Sequence, residues 1–221
     1  VKLLLNNGKE CDRSLALYMA SDVVEHLGEL SVPYWNSFME IACGCITDKS
    51  PVIRQHAASV VGYGAKVAIF AQIAPMAAAQ VARVLQKHGE KHRRRRALNA
   101  EAKQVAMAVD SSIWALGMIC EHQEANVGGD SSGAWKMWLS HMPPRCDRDL
   151  GVKACTQLLE LMAKNHPVVT AVEQQPRVLA ILTEAYKSRN SNTSLDKEIA
   201  ASVARGAASV KSLATQLADR Q

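Results

Sequence analysis

The stretch "DKSPVIRQHAASVVGY" (48–63) reads first as an amphipathic helix with a strong start signal. Asp48 is placed to cap free backbone N–H groups, and Pro51 suits the first helical turn, where no donor is needed. Val52, Ala57, Val60 and Val61 fall near one face, with Arg54, Gln55 and Ser59 elsewhere. Whether this is one helix among many or the unit of a repeat decides what the protein can be.

The bulk of the chain favours helices. Its 221 residues are 48% hydrophobic but only 5% aromatic, and Ala, Val and Leu supply most of the apolar content. That mixture suits close helix–helix packing better than a β-sandwich, which wants more Tyr, Phe, Trp and Thr. The net charge of +5 and pI near 8.9 allow nucleic acid or acidic protein as partner without demanding either. Six cysteines, at 11, 43, 45, 120, 146 and 155, form no CxxC pair and read as reduced thiols of an intracellular protein. Cys43-Gly-Cys45 sits in an apolar helical run, where a core or groove lining is favoured over a redox or metal role. The run "VAIFAQIAPMAAAQVARVL" (67–85) is interrupted by Gln72, Pro75, Gln80 and Arg83, so it reads as buried helix and not as a membrane span. The abrupt opening "VKLLLNNGKE", without Met, suggests a piece of a longer protein.

Helical periodicity runs throughout, with no convincing alternating strand. The pattern predicts helices over 11–28, 34–47, 51–67, 74–88, 97–122, 134–141, 147–164, 174–188 and 195–218. Breaks fall at Pro33, Asp48 to Pro51, Gly89, Gly128-Gly129, Pro143-Pro144, Pro167, and Asn190 to Ser194. Strong starts near 12, 51, 99, 147 and 195 are spaced by about 39 and then about 48 residues, around the range of two-helix HEAT-type units. "DKSPVIRQHAASVVG" fits the second helix of such a unit: acid, then Ile-Arg, then a small residue three positions on. "PPRCDRDLGVKACTQLLELM" (143–162) is a looser copy. No such helix pair buries its apolar face alone, so the units must stack. The expected fold is therefore all-α: a right-handed α-solenoid of about five HEAT-type helix pairs, a single domain over 1–221. The opening stretch is its repeat unit.

Five blocks carry a resemblance. "SDVVEHLGE" (21–29), "DKSPVIRQHAASVVGYGAKV" (48–67), "DSSIWALGMIC" (110–120), "WKMWLSHMPP" (135–144) and "LLELMAKNHPVV" (158–169) resemble, in order and spacing, the C-terminal HEAT repeats of the beta-karyopherin (importin beta) family, nearest its importin-five branch. The resemblance implies a non-catalytic segment of a nuclear transport receptor, cytoplasmic and nuclear and passing the nuclear pore. Its implied partners are cargo proteins, the GTPase Ran (bound mainly by N-terminal repeats absent here) and phenylalanine–glycine nucleoporins. It implies no cofactor, no metal and no membrane, and disfavours nucleic acid. It places cargo or Ran on the concave face of second helices, where Asp22, Arg54, Gln55 and Asp110 are the polar residues expected to point inward. Trp35, Trp138 and their neighbours Phe38, Met39 and Met137 read first as core packing; the resemblance offers them a second role, in clefts between outer first helices that take nucleoporin repeats. Receptors of this family are usually acidic, whereas this chain is basic and reads "PPRCDRDLG" (143–151) where they carry an acidic stretch.

Other stretches resemble chemical motifs. "GDSSG" (129–133) matches GxSxG, but the hydrolase elbow needs a strand before its Ser and a helix directly after, and no strand precedes it. His88 and His92 have the spacing of a zinc pair, with Gly89 between them and no convincing third ligand, which favours surface histidines. Asp22 with Glu25, and Asp110, lack the partners of a general acid or base. "KHRRRR" (91–96) is read as a solvated linker first, a site for acidic protein second and for nucleic acid third, because no aromatics are interleaved to stack bases. Two other functions compete with the transport receptor. One is a generic HEAT scaffold or regulatory subunit. The other is a HEAT-like alkylpurine DNA glycosylase, which needs a catalytic Asp among aromatics and would use Asp110 near Trp114.

Overall fold

The computed structural model describes residues 1–6, 8–90, 99–129, 131–187, 201 and 204. The described residues are all-α, with ten α-helices and no β-sheet among them. Helices α1 (Lys2–Leu5), α2 (Glu10–Leu27), α3 (Met39–Cys45), α4 (Pro51–Gly64) and α5 (Ala74–Val84) form the first half. Helices α6 (Ala100–Gln123), α7 (Ser131–His141), α8 (Arg148–Ala163), α9 (Pro167–Thr170) and α10 (Gln175–Lys187) form the second. The helix expected over 195–218 lies, but for two residues, outside the described residues. No described helix is long and apolar enough to cross a membrane. All six cysteines are free thiols.

The helix starts follow their caps. Asn99 accepts a bond from the Ala102 N–H at 2.8 Å, and Asp147 accepts one from the Leu150 N–H at 3.0 Å. Each satisfies a donor that the first helical turn leaves free. At the opening stretch the cap is Ser50, whose Oγ accepts from the Ile53 N–H, and not Asp48. Asp48 acts one step earlier, its Oδ1 taking the Ser50 N–H at 2.8 Å and tightening the turn into the helix.

The segment expected as a helix over 34–47 divides. A 3-10 run spans Gly28–Ser37, with Pro33 inside it, and α3 starts only at Met39. Pro33 donates no backbone hydrogen bond and crowds the turn before it, so a regular α-helix cannot run through Gly28–Pro33; the run is broken again at Phe38, at φ −150°, before α3 starts. Gly28, at φ +49°, ends α2 in the left-handed region that a residue without Cβ enters freely. The helix expected over 74–88 is α-helical only to Val84 and finishes in a π-helical turn, Leu85–Gly89.

The helices pack in two rows. In one row α2 packs on α4, α4 on α6 and α6 on α8; in the other α3 packs on α5, α5 on α7 and α7 on α10. The rows meet where α4 contacts α3, and where α6 contacts α5 and α7. The core lies between the rows, around Phe70, Leu85, Ile113, Leu116, Ile119, Trp135, Trp138 and Leu139. Small residues set the close approaches. A Cβ on Gly62 of α4 would collide with the Trp114 ring of α6. Gln123, nearly buried at the end of α6, donates to the Ala65 carbonyl beyond α4 at 2.8 Å. Arg177 of α10 donates to the carbonyls of Leu139, Ser140 and Met142, three acceptors at the end of α7. A glycine-to-alanine change inside a helix normally gains about 1 kcal/mol. Gly62→Ala is instead expected to cost about 1–3 kcal/mol, because the indole has to move in a packed core. Urea unfolding measures the sign; a stabilised variant would show that the ring yields freely.

Candidate protein-binding surfaces

The row of α2, α4, α6 and α8 presents a strip of partly exposed side chains. On α2, Tyr18, Asp22 and Glu25 are spaced by four and three residues and share one face. Tyr18 is 53% exposed, and its ring meets the His56 imidazole of α4 edge-on with centroids 5.9 Å apart. Two turns further along α4, the Tyr63 hydroxyl accepts from Lys153 Nζ of α8 at 3.1 Å, and Glu25 of α2 acts on the same hydroxyl. Lys153 Nζ lies 5.4 Å from the Tyr63 ring centroid and 5.6 Å from that of Trp114, so its charge faces two π-surfaces. Glu25, Tyr63, Trp114 and Lys153 thereby link the four helices of this row.

The electrostatics of the strip follow from partial burial. Burial raises the Tyr63 hydroxyl above its ordinary range and Glu25 adds to this, while Lys153 opposes both. The phenol stays protonated and accepts from Lys153. Burial works to lower Lys153, but Tyr63, Glu25 and Asp149 outweigh it and hold the ammonium charged. Burial lowers His56, which keeps its imidazole neutral at pH 7. The result is a strip of aromatic rings and hydrogen-bond groups with a charged ammonium at Lys153 and the Glu25 carboxylate on α2.

Of the four polar residues expected on this face, Asp22 and Gln55 are half-buried on the outward sides of α2 and α4, Gln55 beside His56. Arg54 and Asp110 are not on it. Asp110 is fully buried, and its Oδ2 accepts the backbone N–H groups of Arg145, Cys146 and Asp147 at 3.0, 2.5 and 2.8 Å. This carboxylate pins the turn before α8 onto α6. Arg54 is 5% exposed, and its Nη1 donates to the carbonyls of Asp48 and Lys49 at 2.9 and 3.1 Å. It closes the corner between α3 and α4 from within. From outside, Arg13 of α2 donates to Asp48 Oδ2 at 2.6 Å and to Cys45 Sγ at 3.3 Å. Burial works to raise the Asp48 carboxyl, but the Ser50 N–H and the Arg13 guanidinium overcome it and hold it below the usual range.

The aromatic residues follow the core reading and not the cleft reading. Trp35, Phe38 and Met39 are 7%, 3% and 3% exposed, and Trp138 is fully buried. Trp35 donates from Nε1 to Ser31 Oγ at 2.8 Å and meets Phe70 edge-on at 6.4 Å. Met137 is half-buried against the core. These side chains fill the space between the rows, and none presents an open ring to a partner. A Trp or Phe gains more by full burial among close-packed neighbours than in a furrow half-open to water. Other apolar residues are exposed instead: Leu30 and Tyr34 in the 3-10 run Gly28–Ser37, Ile69 in the 3-10 turn Ala68–Gln72 and Met76 on α5 are 75%, 61%, 40% and 42% exposed. Glu29 Oε1 accepts the Ala68 N–H at 2.9 Å and brings the segments of Leu30 and Ile69 side by side.

The remaining motifs resolve simply. Ser131 of the GxSxG match is the first residue of α7, and among the described residues a 3-10 turn and a bend, not a strand, precede it. Burial pushes the Cys43 and Cys120 thiols up to about 12, so neither is a thiolate at neutral pH. His92 and the run Arg93 to Arg96 lie outside the described residues. No protein-family model matches the chain.

Proposed function

We propose that this chain is a non-catalytic, protein-binding segment of a nuclear transport receptor, built as HEAT-type helix pairs stacked in a right-handed solenoid. The observation that carries this reading is the ladder of contacts α2–α4–α6–α8 beside α3–α5–α7–α10, the packing order that stacked helix pairs require. It supports the resemblance of the five sequence blocks to beta-karyopherin C-terminal repeats. In this reading the strip of Tyr18, Asp22, Glu25, Gln55, His56, Tyr63 and Lys153 faces cargo or Ran. Leu30, Tyr34, Ile69 and Met76 take the place of the buried tryptophans as contacts for phenylalanine–glycine repeats. The receptor so built passes between cytoplasm and nucleus through the pore.

A single Phe ring covering such residues removes about 100–200 Å² of apolar surface from water, worth roughly 2–4 kcal/mol before ordering costs. One contact is weak, and useful affinity needs several contacts along one repetitive chain. A phenylalanine–glycine peptide is therefore expected to bind in the millimolar to high-micromolar range. Chemical-shift titration should show perturbations at residues 27–34 and 68–76 and none centred on Trp138. Unchanged shifts at saturating peptide would remove the pore-binding role and leave a generic helical scaffold as the better reading. The burial of the Asp110 carboxylate and its three backbone N–H partners count against the glycosylase alternative, which needs that acid free to reach a substrate.

A further inference from the structure

A groove of about 530 Å³ runs between the corner that closes α3 onto α4 and the end of α5. Thr47, Asp48, Lys49 and Arg54 line one side; Arg83, Val84, Lys87 and His88 line the other. Its volume is in the range of ligand sites, roughly 300–1,000 Å³. Its charge is one-sided. Among the described lining residues the cations Lys49, Arg54, Arg83 and Lys87 face a single carboxylate, Asp48, which is already taken by Arg13 at 2.6 Å. Lys49 and Lys87 make no ion pair with any described residue. Arg54 Nε is buried without a hydrogen-bond partner among the described residues, although Nη1 is held by two carbonyls. Burial lowers the Arg54 guanidinium, the sign of a charge that its surroundings do not fully compensate. The far wall has its own irregularity. Lys87 and His88 project from the π-helical turn Leu85–Gly89, a rare widening of the helix that is enriched at functional sites. Gly89 on that turn packs against the His141 ring with no room for a Cβ, which fixes the turn in place.

We propose that this groove binds an acidic, extended segment of a partner protein, with Lys49, Arg83 and Lys87 receiving its carboxylates beside Arg54. A concave site of like charges with low-dielectric walls concentrates anions of the opposite sign. The lining contains no Phe, Tyr or Trp on which a base would stack, and its apolar part is Val84 and the methylene stems of the basic residues. Both features favour a peptide over a nucleic-acid strand. The groove is separate from the strip across α2, α4 and α8, and its occupancy does not depend on the transport reading.

The test is fluorescence anisotropy of a labelled decaglutamate peptide with the full chain at 50 and 200 mM salt. Binding is expected at the lower salt and at least tenfold weaker at the higher one. The double substitution Lys49→Glu with Lys87→Glu changes two exposed side chains, and its thermal midpoint should match the unaltered chain within a few degrees. It is expected to lower peptide affinity at least tenfold. Replacing Arg93, Arg94, Arg95 and Arg96 together by serine is expected to leave affinity within threefold. Equal binding by the lysine double variant, or lost binding by the serine variant, would overturn the assignment. An oligouridylate of equal length that displaces the peptide at equal concentration would overturn it in favour of nucleic acid.

Discussion

Asp110→Ala is expected to lower the free energy of unfolding by about 3–5 kcal/mol. The carboxylate sits fully buried on α6, the helix that contacts α4, α5, α7 and α8, and one of its oxygens accepts three consecutive backbone N–H groups. Each donor left without a partner costs about 1–3 kcal/mol where water cannot reach it. The bonds carry charge as well, which roughly doubles the strength of a neutral hydrogen bond. Part of the loss is recovered because the charge itself no longer has to be desolvated, and because Arg145 is exposed and its N–H can find water. The turn at 145–147 then lets go of α6, and Asp147 no longer holds the position from which it caps α8. Asp110→Asn keeps the shape and one acceptor oxygen and should cost only about 1–2 kcal/mol. Urea unfolding followed by circular dichroism gives both values, and hydrogen exchange at Cys146 and Asp147 reads the released donors directly. A loss below about 1 kcal/mol for the alanine variant would mean that the turn is held by its other contacts.

This residue shows where sequence reasoning stops. A lone acid in "AVDSSIW" carries no pattern that distinguishes a buried anchor from a surface charge. Its partners are backbone atoms 35 to 37 residues away, and a backbone N–H leaves no trace in residue type. Arg54 misled for the same reason, since its acceptors are carbonyls that the turn at Asp48 and Lys49 happens to aim at it. The helix starts were legible because Pro51, Asn99 and Asp147 act locally, within three residues of themselves. The all-helical class was legible from periodicity and from the shortage of aromatics. Pro33 marked the break at the 3-10 run Gly28–Ser37, but the second break at Phe38 and the π-turn at Leu85–Gly89 left no pattern in residue type. Tyr18, Tyr63 and Lys153 were missed as surface residues. Tyr18 stands four positions before Asp22, a spacing that was visible, but Tyr63 and Lys153 meet only through the packing of α4 and α8 around Trp114.

Trp138→Ala carries the other large effect, and it separates folding from binding. The Trp138 ring is fully buried, meets Trp135 edge-on at 5.5 Å, and lies over Gly117, where a Cβ would come within 2.6 Å of its Nε1. Truncating a Trp in such a site costs about 3–5 kcal/mol, since α6, α7 and α8 cannot all collapse into the space it leaves. The indole N–H has no hydrogen-bond partner among the described residues, so little polar energy is lost with it. Trp138→Phe keeps most of the ring contact and should cost only about 1–2 kcal/mol. Neither variant touches the exposed outer residues, so at a temperature where both remain folded each should bind a phenylalanine–glycine peptide within twofold of the unaltered chain. Tyr34→Ala should behave in the opposite way, because its side chain is 61% exposed: a small change in stability and a clear loss of peptide binding. Measuring unfolding and peptide titration side by side on the three variants decides the matter. A Trp138→Ala protein that unfolds normally yet no longer binds the peptide would return the indole to the partner-facing cleft and contradict the burial on which the outer-surface assignment rests.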